Sequence, residues 1–273
     1  MMSLYVYNSS SLSFRRDLDE HPNPKSFFMH AHRRAELYCF LRGKGSYHVE
    51  GTVYPLQSGD ILIMRPGEAH YIEISPDEPY ERMSLIFDAD LFSGLDPGGE
   101  LMKRYFNRPA GKGNLYRLAG CTDDTLLRHM EQLSHHPEPD RIFLLSHLFA
   151  TLEMLRSFNE EVIEEDDVDV AGTQEYRIIR YINDHLTESL SLDLLCSECF
   201  ISKSQLCRLF KKATASTVWE YITVKRLLLA QRLITDGEKP SDVYSACGFK
   251  DYSSFYRAYK RHFGLPPKRR TKE

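Results

Sequence analysis

The sequence predicts an α+β protein of two domains: a strand-rich N-terminal domain with flanking helices, and an all-α C-terminal domain of two helix-turn-helix units joined by a central helix. Three observations predict it. The hydrophobic period is short and alternating up to about residue 90 and helical from about Thr122 onward. An acidic stretch, Asn159 to Thr173, separates two such regions. Beyond it, a residue pattern near position 206 returns 49 positions later. At 273 residues the chain also exceeds the roughly 100–200 residues that one core usually serves. The expected boundaries are 1–120 for the strand-rich domain, 121–158 for a helical segment, 159–174 for an acidic linker and 175–273 for the helical domain. Its two units are expected at about 192–213 and 240–263.

Residues 27–90 carry the strand signal. Leu37-Tyr38-Cys39-Phe40-Leu41 is followed by Gly43-Lys44-Gly45, then Tyr47-His48-Val49 and Gly51; Ser58-Gly59-Asp60 precedes Ile61-Leu62-Ile63-Met64 and the turn Arg65-Pro66-Gly67. Short strands at such regular spacing imply a small antiparallel barrel or sandwich. Tyr47 and Tyr71 either line its mouth or pack outside it. Farther along, Leu126, Leu127, Met130 and Leu133, then Ile142, Leu145, Leu148, Phe149, Leu152 and Leu155, recur at helical spacing and predict two antiparallel helices.

The linker holds Glu160, Glu161, Glu164, Glu165, Asp166, Asp167 and Asp169 with few large apolar residues, the composition of a solvated connector. Charge is divided along the chain. From Glu175 to Glu273 there are 18 Lys/Arg against 11 Asp/Glu, a net of +7, which leaves 17 against 28 for the remainder. A basic half beside an acidic half implies that only one of them meets a polyanion. The N-terminus lacks a basic stretch followed by an apolar core, and no run of about 18 apolar residues offers a membrane span. Six scattered cysteines, Cys39, Cys121, Cys196, Cys199, Cys207 and Cys247, have no framework spacing and read as reduced thiols. A cytoplasmic protein with no membrane partner is expected, and Cys196-x-x-Cys199 is expected to pack rather than bind zinc.

The repeat is the most informative feature. Leu206, Arg208, Phe210 and Lys211 return as Phe255, Arg257, Tyr259 and Lys260, while Phe200-Ile201 matches Gly248-Phe249 at an offset of 48, so the second turn is one residue longer. Each copy reads as helix, tight turn, helix. Leu192, Leu195 and Cys199 form the first leading stripe. Ser202 and Gln205 have capping-box spacing, in which the hydroxyl and the amide each satisfy an orphan backbone N–H; Asp251 is the second N-cap. Leu206, Leu209 and Phe210 face a core, as do Phe255, Ala258 and Tyr259. Ser204, Cys207, Arg208 and Lys211, and Ser253, Ser254, Arg257 and Lys260, are left on the opposite faces. A helix braced in this way suits the major groove, where Arg can donate two parallel hydrogen bonds to guanine. Trp219 is expected in the core.

On these residues the stretch from Glu175 to Arg270 resembles the DNA-binding domain of the AraC/XylS family of bacterial transcription regulators. The match runs through Ser202-x-Ser204-x-Leu206-x-Arg208-x-Phe210-Lys211. It continues along a central helix with Tyr221, Arg226, Leu227, Ala230, Leu233 and Ile234, then Gly248-Phe249-x-Asp251-x-Ser253-x-Phe255-x-Arg257-x-Tyr259-Lys260 and Phe263-Gly264-x-Pro266-Pro267. The resemblance implies that the second helix of each unit enters a major groove of double-stranded DNA. Ser204, Cys207, Arg208, Tyr252, Ser253 and Arg257 are the implied base readers, with Ser202, Lys203, Lys211, Ser254 and Lys260 beside them on the DNA. It also implies a small-molecule effector, RNA polymerase and a homodimer. The chain departs from the family pattern at Phe200, Ala215, Tyr244 and Arg270.

The N-terminal half resembles the two-part cupin motif: His30-x-His32-x-x-x-Glu36, then Gly43, Gly59 and Pro66-Gly67-x-x-His70. The implied fold is a cupin-like β-barrel. On one strand His30, His32 and Glu36 would share a face, with His70 joining from a neighbouring strand. Three readings stay open. The set can hydrogen-bond an effector such as a sugar, it can hold Zn, Fe, Ni or Mn, or the histidines can be purely structural. The alternative function is accordingly a metal-dependent cupin enzyme, a dioxygenase or isomerase, with a helical appendage.

Overall fold

A computed structural model describes residues 2–118, 125–158 and 173–268. These divide into two compact units, residues 2–27 with 34–158, and residues 28–33 with 173–268. Most of the acidic linker, with Cys121 and Arg270, lies outside the described residues. The other five cysteines are free thiols, and no described helix is long and apolar enough to cross a membrane.

Among the described residues, the first unit holds nine strands in two sheets. A six-stranded antiparallel sheet takes the order β1 (Met2–Asn8), β2 (Leu12–Asp19), β8 (Tyr80–Phe87), β3 (Ala35–Arg42), β6 (Ile61–Met64), β9 (Leu115–Tyr116); a three-stranded sheet has β5 (Thr52–Pro55), β4 (Gly45–Val49), β7 (His70–Ile74). No ladder joins the two among the described residues, so the expected barrel or sandwich takes the form of two sheets without closure. The cause is in the connections. Gly43 (φ 130°), Pro66 and Pro79 stand where the chain passes between sheets, and none of them continues a ladder, while Pro55 ends β5 opposite Ser46 just before another crossing. At Gly45 a Cβ would meet the Glu73 carbonyl oxygen at 2.2 Å, so only glycine permits this approach of β4 to β7.

Alternation along β3 explains its unbroken apolar run. Leu37 and Cys39 join Leu12, Phe14, Ile61, Ile63, Leu85 and Phe87 in a core shared with α1 (Lys103–Phe106), α2 (Thr125–His135) and α3 (Arg141–Ser157). Tyr38 and Phe40 instead join Tyr47, Val49, Ile72 and Ile74 of the smaller sheet. Both faces of the central strand are therefore covered, the condition under which a strand reads as continuously hydrophobic. The two helices pack as a hairpin, with His129 Nε2 at 3.1 Å from the His147 carbonyl and the Asp140 carboxylate capping α3 through the Phe143 N–H. The buried face of α3 is Leu144, Leu148, Thr151, Leu152 and Leu155. Ile142 and Phe149 are exposed, which corrects the expected stripe by a fraction of a turn.

The second unit contains α4 (Gln174–Asp184), α5 (Leu192–Cys199), α6 (Lys203–Thr214), α7 (Val218–Thr235), α8 (Pro240–Ala246) and α9 (Tyr252–Phe263). The central helix α7 serves two cores. Its N-terminal Tyr221 meets Phe210 of α6 edge-on at 5.4 Å, while Leu227, Ala230 and Ile234 pack with Val243, Cys247, Phe255 and Tyr259. A full capping box fixes its start: Thr217 Oγ1 accepts from Glu220 N–H, and the Glu220 carboxylate accepts from Thr217 N–H. Trp219 lies in that first turn and is 45% exposed, against the expectation that it is core; Val218, Tyr221 and Ile222 take the inward face.

The departures Phe200 and Ala215 have a common explanation. Both occupy left-handed backbone that closes a helix, at φ 55° and 53°. A non-glycine residue there costs roughly 1–2 kcal/mol, against about 0.4–1 kcal/mol for the extra unfolded-state freedom of glycine. Ala215→Gly is therefore expected to stabilise the second unit by about 0.5–1 kcal/mol, read as a higher urea midpoint at unchanged slope. An unchanged or lower midpoint would contradict the assignment. Tyr244 is half-buried against the second core and meets Tyr252 edge-on at 5.8 Å, so the α8–α9 packing accommodates it.

Candidate nucleic-acid interface and ligand site

The two halves of the second unit are built on one backbone device. At the end of α5, Ile201 N–H donates to the Cys196 carbonyl and Phe200 N–H to that of Ser197; at the end of α8, Phe249 N–H donates to Tyr244 and Gly248 N–H to Ser245. Each is a Schellman closure, with Phe200 and Gly248 in the left-handed position. The next helix then starts on a capping residue: Ser202 Oγ accepts from Gln205 N–H at 3.2 Å, and Asp251 Oδ1 accepts from Ser254 N–H at 2.8 Å. Lys250 is the extra residue of the second turn. The first cap is half of the expected box, because the Gln205 amide donates to Gln174 Oε1 of α4 instead of returning to Ser202.

From these caps α6 buries Leu206, Leu209 and Phe210, and α9 buries Phe255 and Tyr259. Ser204, Cys207, Arg208 and Lys211 are exposed together on α6, as are Tyr252, Ser253, Arg257 and Lys260 on α9. Three predicted residues have other partners. Ser202 Oγ is occupied as the cap, Lys203 Nζ lies 2.7 Å from the Asp193 carboxylate, and Ser254 Oγ donates to Asp251 Oδ2 at 2.8 Å. The Ser254 hydrogen bonds, first that of its backbone N–H, hold the Asp251 carboxyl below its usual range, helped by the nearby Arg257 charge. One outward side chain escaped the sequence reading. Tyr256 is exposed on α9, and its spacing of three from Ser253 and four from Tyr252 was the available signal.

In the first unit, Glu36 lies on β3 and His70 opens β7, so the two come from opposite sheets rather than from neighbouring strands. Both are buried, and His70 Nε2 is 3.3 Å from Glu36 Oε2. The other ring nitrogen, Nδ1, is 2.8 Å from the Glu68 carbonyl. Burial alone would lower the His70 pKa; the hydrogen bond and charge of Glu36, with Glu68, outweigh it and raise the imidazole above its usual value. Aromatic groups surround this pair. The Tyr47 ring stacks with that of His70 at 6.0 Å and lies 4.7 Å from Tyr38, whose hydroxyl is 2.9 Å from that of Tyr80. Arg82 lies over Tyr80 at 5.0 Å and donates to Asp17. Tyr47 thus packs inward between the sheets, while Tyr71 stacks on His48 at 4.3 Å. Because β3 begins at Ala35, His30 and His32 are not on its strand, and the shared parity expected of the three ligands does not hold. The segment 28–33 groups with the second unit; there His30 Nδ1 is 3.1 Å from the Phe28 carbonyl, and the two imidazole rings are 6.0 Å apart.

Two family models match this chain. One, described as an AraC-like ligand binding domain, covers residues 18–152, and one described as a helix-turn-helix domain covers residues 195–272. The chain is similar to the probable transcriptional regulator LumQ of Photobacterium leiognathi, 26% identical over 250 residues that span 90% of this chain and 92% of that protein. It is also similar to the raffinose operon transcriptional regulatory protein RafR of Pediococcus pentosaceus, 23% identical over 238 residues, 85% of this chain and 82% of that one. Among solved structures, that of ToxT from Vibrio cholerae O395 aligns over 95% of this chain and 96% of its own, at 14% identity and a TM-score of 0.36.

Proposed function

Because the chain belongs to the AraC family of transcription regulators, with an effector-binding domain and a DNA-binding domain, we propose that α6 and α9 read two successive major grooves of one duplex. The observation that carries this reading is the repeated device itself: closure, cap and an outward arginine, Arg208 and Arg257, at the same place in each copy. Grooves on one face of B-DNA recur at about 34 Å, so one chain can occupy both. Ser204, Cys207, Arg208, Tyr252, Ser253 and Arg257 make base contacts, with Tyr256 added to them. Lys211 and Lys260 hold phosphates, where the cost of losing one is uniform across sequences and salt-dependent. Ser202, Lys203 and Ser254 flank these groups, Ser202 and Ser254 chiefly as parts of the caps.

The first unit senses a small molecule through Glu36 and His70, with His30 and His32 as further ligand groups. A sugar is the effector class we propose, supported by hydrogen-bonding groups among aromatic rings and by the raffinose operon regulator among the relatives. The protein acts as a cytoplasmic homodimer that contacts RNA polymerase and has no catalytic role. Its working divisions are 1–120, 121–158, 159–174 and 175–273.

The test is a gel-shift titration of the full chain on the DNA upstream of its own gene, with and without a panel of neutral sugars. Saturable binding that outlasts competitor DNA, altered by one of the sugars, is expected. Binding no tighter than to random duplex would overturn the reading. The buried Glu36–His70 pair keeps one other reading in view, a metal-dependent enzyme. Elemental analysis of the purified protein is expected to find substoichiometric metal; stoichiometric iron or manganese with turnover of a sugar or diketone would favour the enzyme instead.

A further inference from the structure

One side chain ties the two helix-turn-helix units together. Arg226 sits midway along α7, and its guanidinium donates in three directions. Nε donates to the Leu186 carbonyl at 2.8 Å, Nη2 to Glu188 at 2.7 Å, and Nη1 to Gly248 at 2.7 Å. The first two carbonyls belong to the loop between α4 and α5, which leads into the first helix-turn-helix. The third belongs to the turn between α8 and α9 of the second. The turn is shaped to receive it. Gly248 has φ +82°, and a Cβ there would fall 2.8 Å from Arg226 Cζ.

We propose that Arg226 is a positioning residue that sets the placement of α9 relative to α6, and with it the half-site spacing the protein accepts. This rests on the reading above that both helices engage one duplex. The argument is geometric. A guanidinium is a rigid planar fork with five N–H donors, so three carbonyls bound to one plane are fixed with respect to each other. A lysine keeps the charge but holds it as a single rotatable ammonium, which cannot impose that plane. Without the fork, each unit keeps its own core, cap and outward face, because none of those residues bonds to Arg226. What is lost is registration: binding of the second unit after the first is governed by an effective local concentration that falls when the linkage loosens.

The experiment uses the full chain and a duplex selected by it from a random library. Two further duplexes carry one scrambled half-site each, and a fourth has one base pair inserted between the halves. Arg226→Lys is expected to bind the intact duplex about 10-fold or more weakly while staying within about threefold on each single-half duplex. The penalty for the inserted base pair should shrink, since a looser linkage tolerates the altered spacing. Gly248→Ala should reproduce the pattern from the other side of the contact, and circular dichroism checks that both variants fold. Equal losses on intact and single-half duplexes would mean that Arg226 only supports the fold, and would overturn the inference. So would unchanged affinity and an unchanged insertion penalty. If the wild-type protein itself gains nothing from the second half-site, the two-groove reading fails first and carries this inference with it.

Discussion

Glu68→Ala is expected to destabilise the first unit by about 3–5 kcal/mol, the cost of stripping one partner from a buried ion pair. Glu68 is 2% exposed, and its carboxylate receives both Nη groups of Arg108, at 2.8 and 2.7 Å. It also accepts from the Arg65 and Gly111 backbone N–H groups and from the Asn114 amide. Arg108 is itself nearly buried and held by the carbonyls of Ile63, Arg104 and Lys112, so it cannot swing out to water when its counter-ion is removed. The double variant Glu68→Ala/Arg108→Met should recover much of the loss, because an apolar residue of similar length leaves no unpaired charge. Urea unfolding monitored on the sheet-rich unit measures both. A single-variant loss below about 1 kcal/mol would show that the pair is not the strut described here. The consequence reaches the ligand site, since the Glu68 carbonyl bonds His70 Nδ1.

Arg208→Ala is expected to weaken operator binding by about 1–3 kcal/mol and to relax selectivity at one base pair. Arg208 is exposed on α6, and the cap behind it, Ser202, is neutral. Arg257 stands near the anionic Asp251, which offsets part of its charge, so Arg257→Ala should cost less than Arg208→Ala. The lysines divide differently. Lys211→Ala should lower affinity for every sequence and reduce the salt slope by about 1. Lys203→Ala should do less, because Lys203 is already engaged by Asp193. Gel shifts on specific and random duplexes over a salt series separate these outcomes, and an unchanged affinity for Arg208→Ala would remove it from the interface.

The chain sequence alone determined the helical unit and its repeat, because helix signals are local. Caps, turns and i, i+3/i+4 spacing act within a few residues, so Ser202, Asp251 and the buried faces of α6 and α9 were legible without any tertiary contact. Reading failed where a partner distant in sequence, or competition for one buried face, decided the outcome. Gln205 had capping-box spacing but bonds Gln174, and Trp219 was apolar enough for a core that Val218, Tyr221 and Ile222 already fill. In the first unit the strands were visible, but their assignment to two sheets was not, since hydrogen bonds between strands are settled by crossings such as Gly43–Gly45 rather than by period. That crossing is what brings Glu36 and His70 together from opposite sheets and surrounds them with Tyr38, Tyr47, Tyr80 and Arg82. Likewise the family resemblance marked Arg226 on the central helix, but its role became visible only when the fold brought three carbonyls from two loops to it. A guanidinium's role is set by the acceptors within 3 Å, and only the folded chain supplies those.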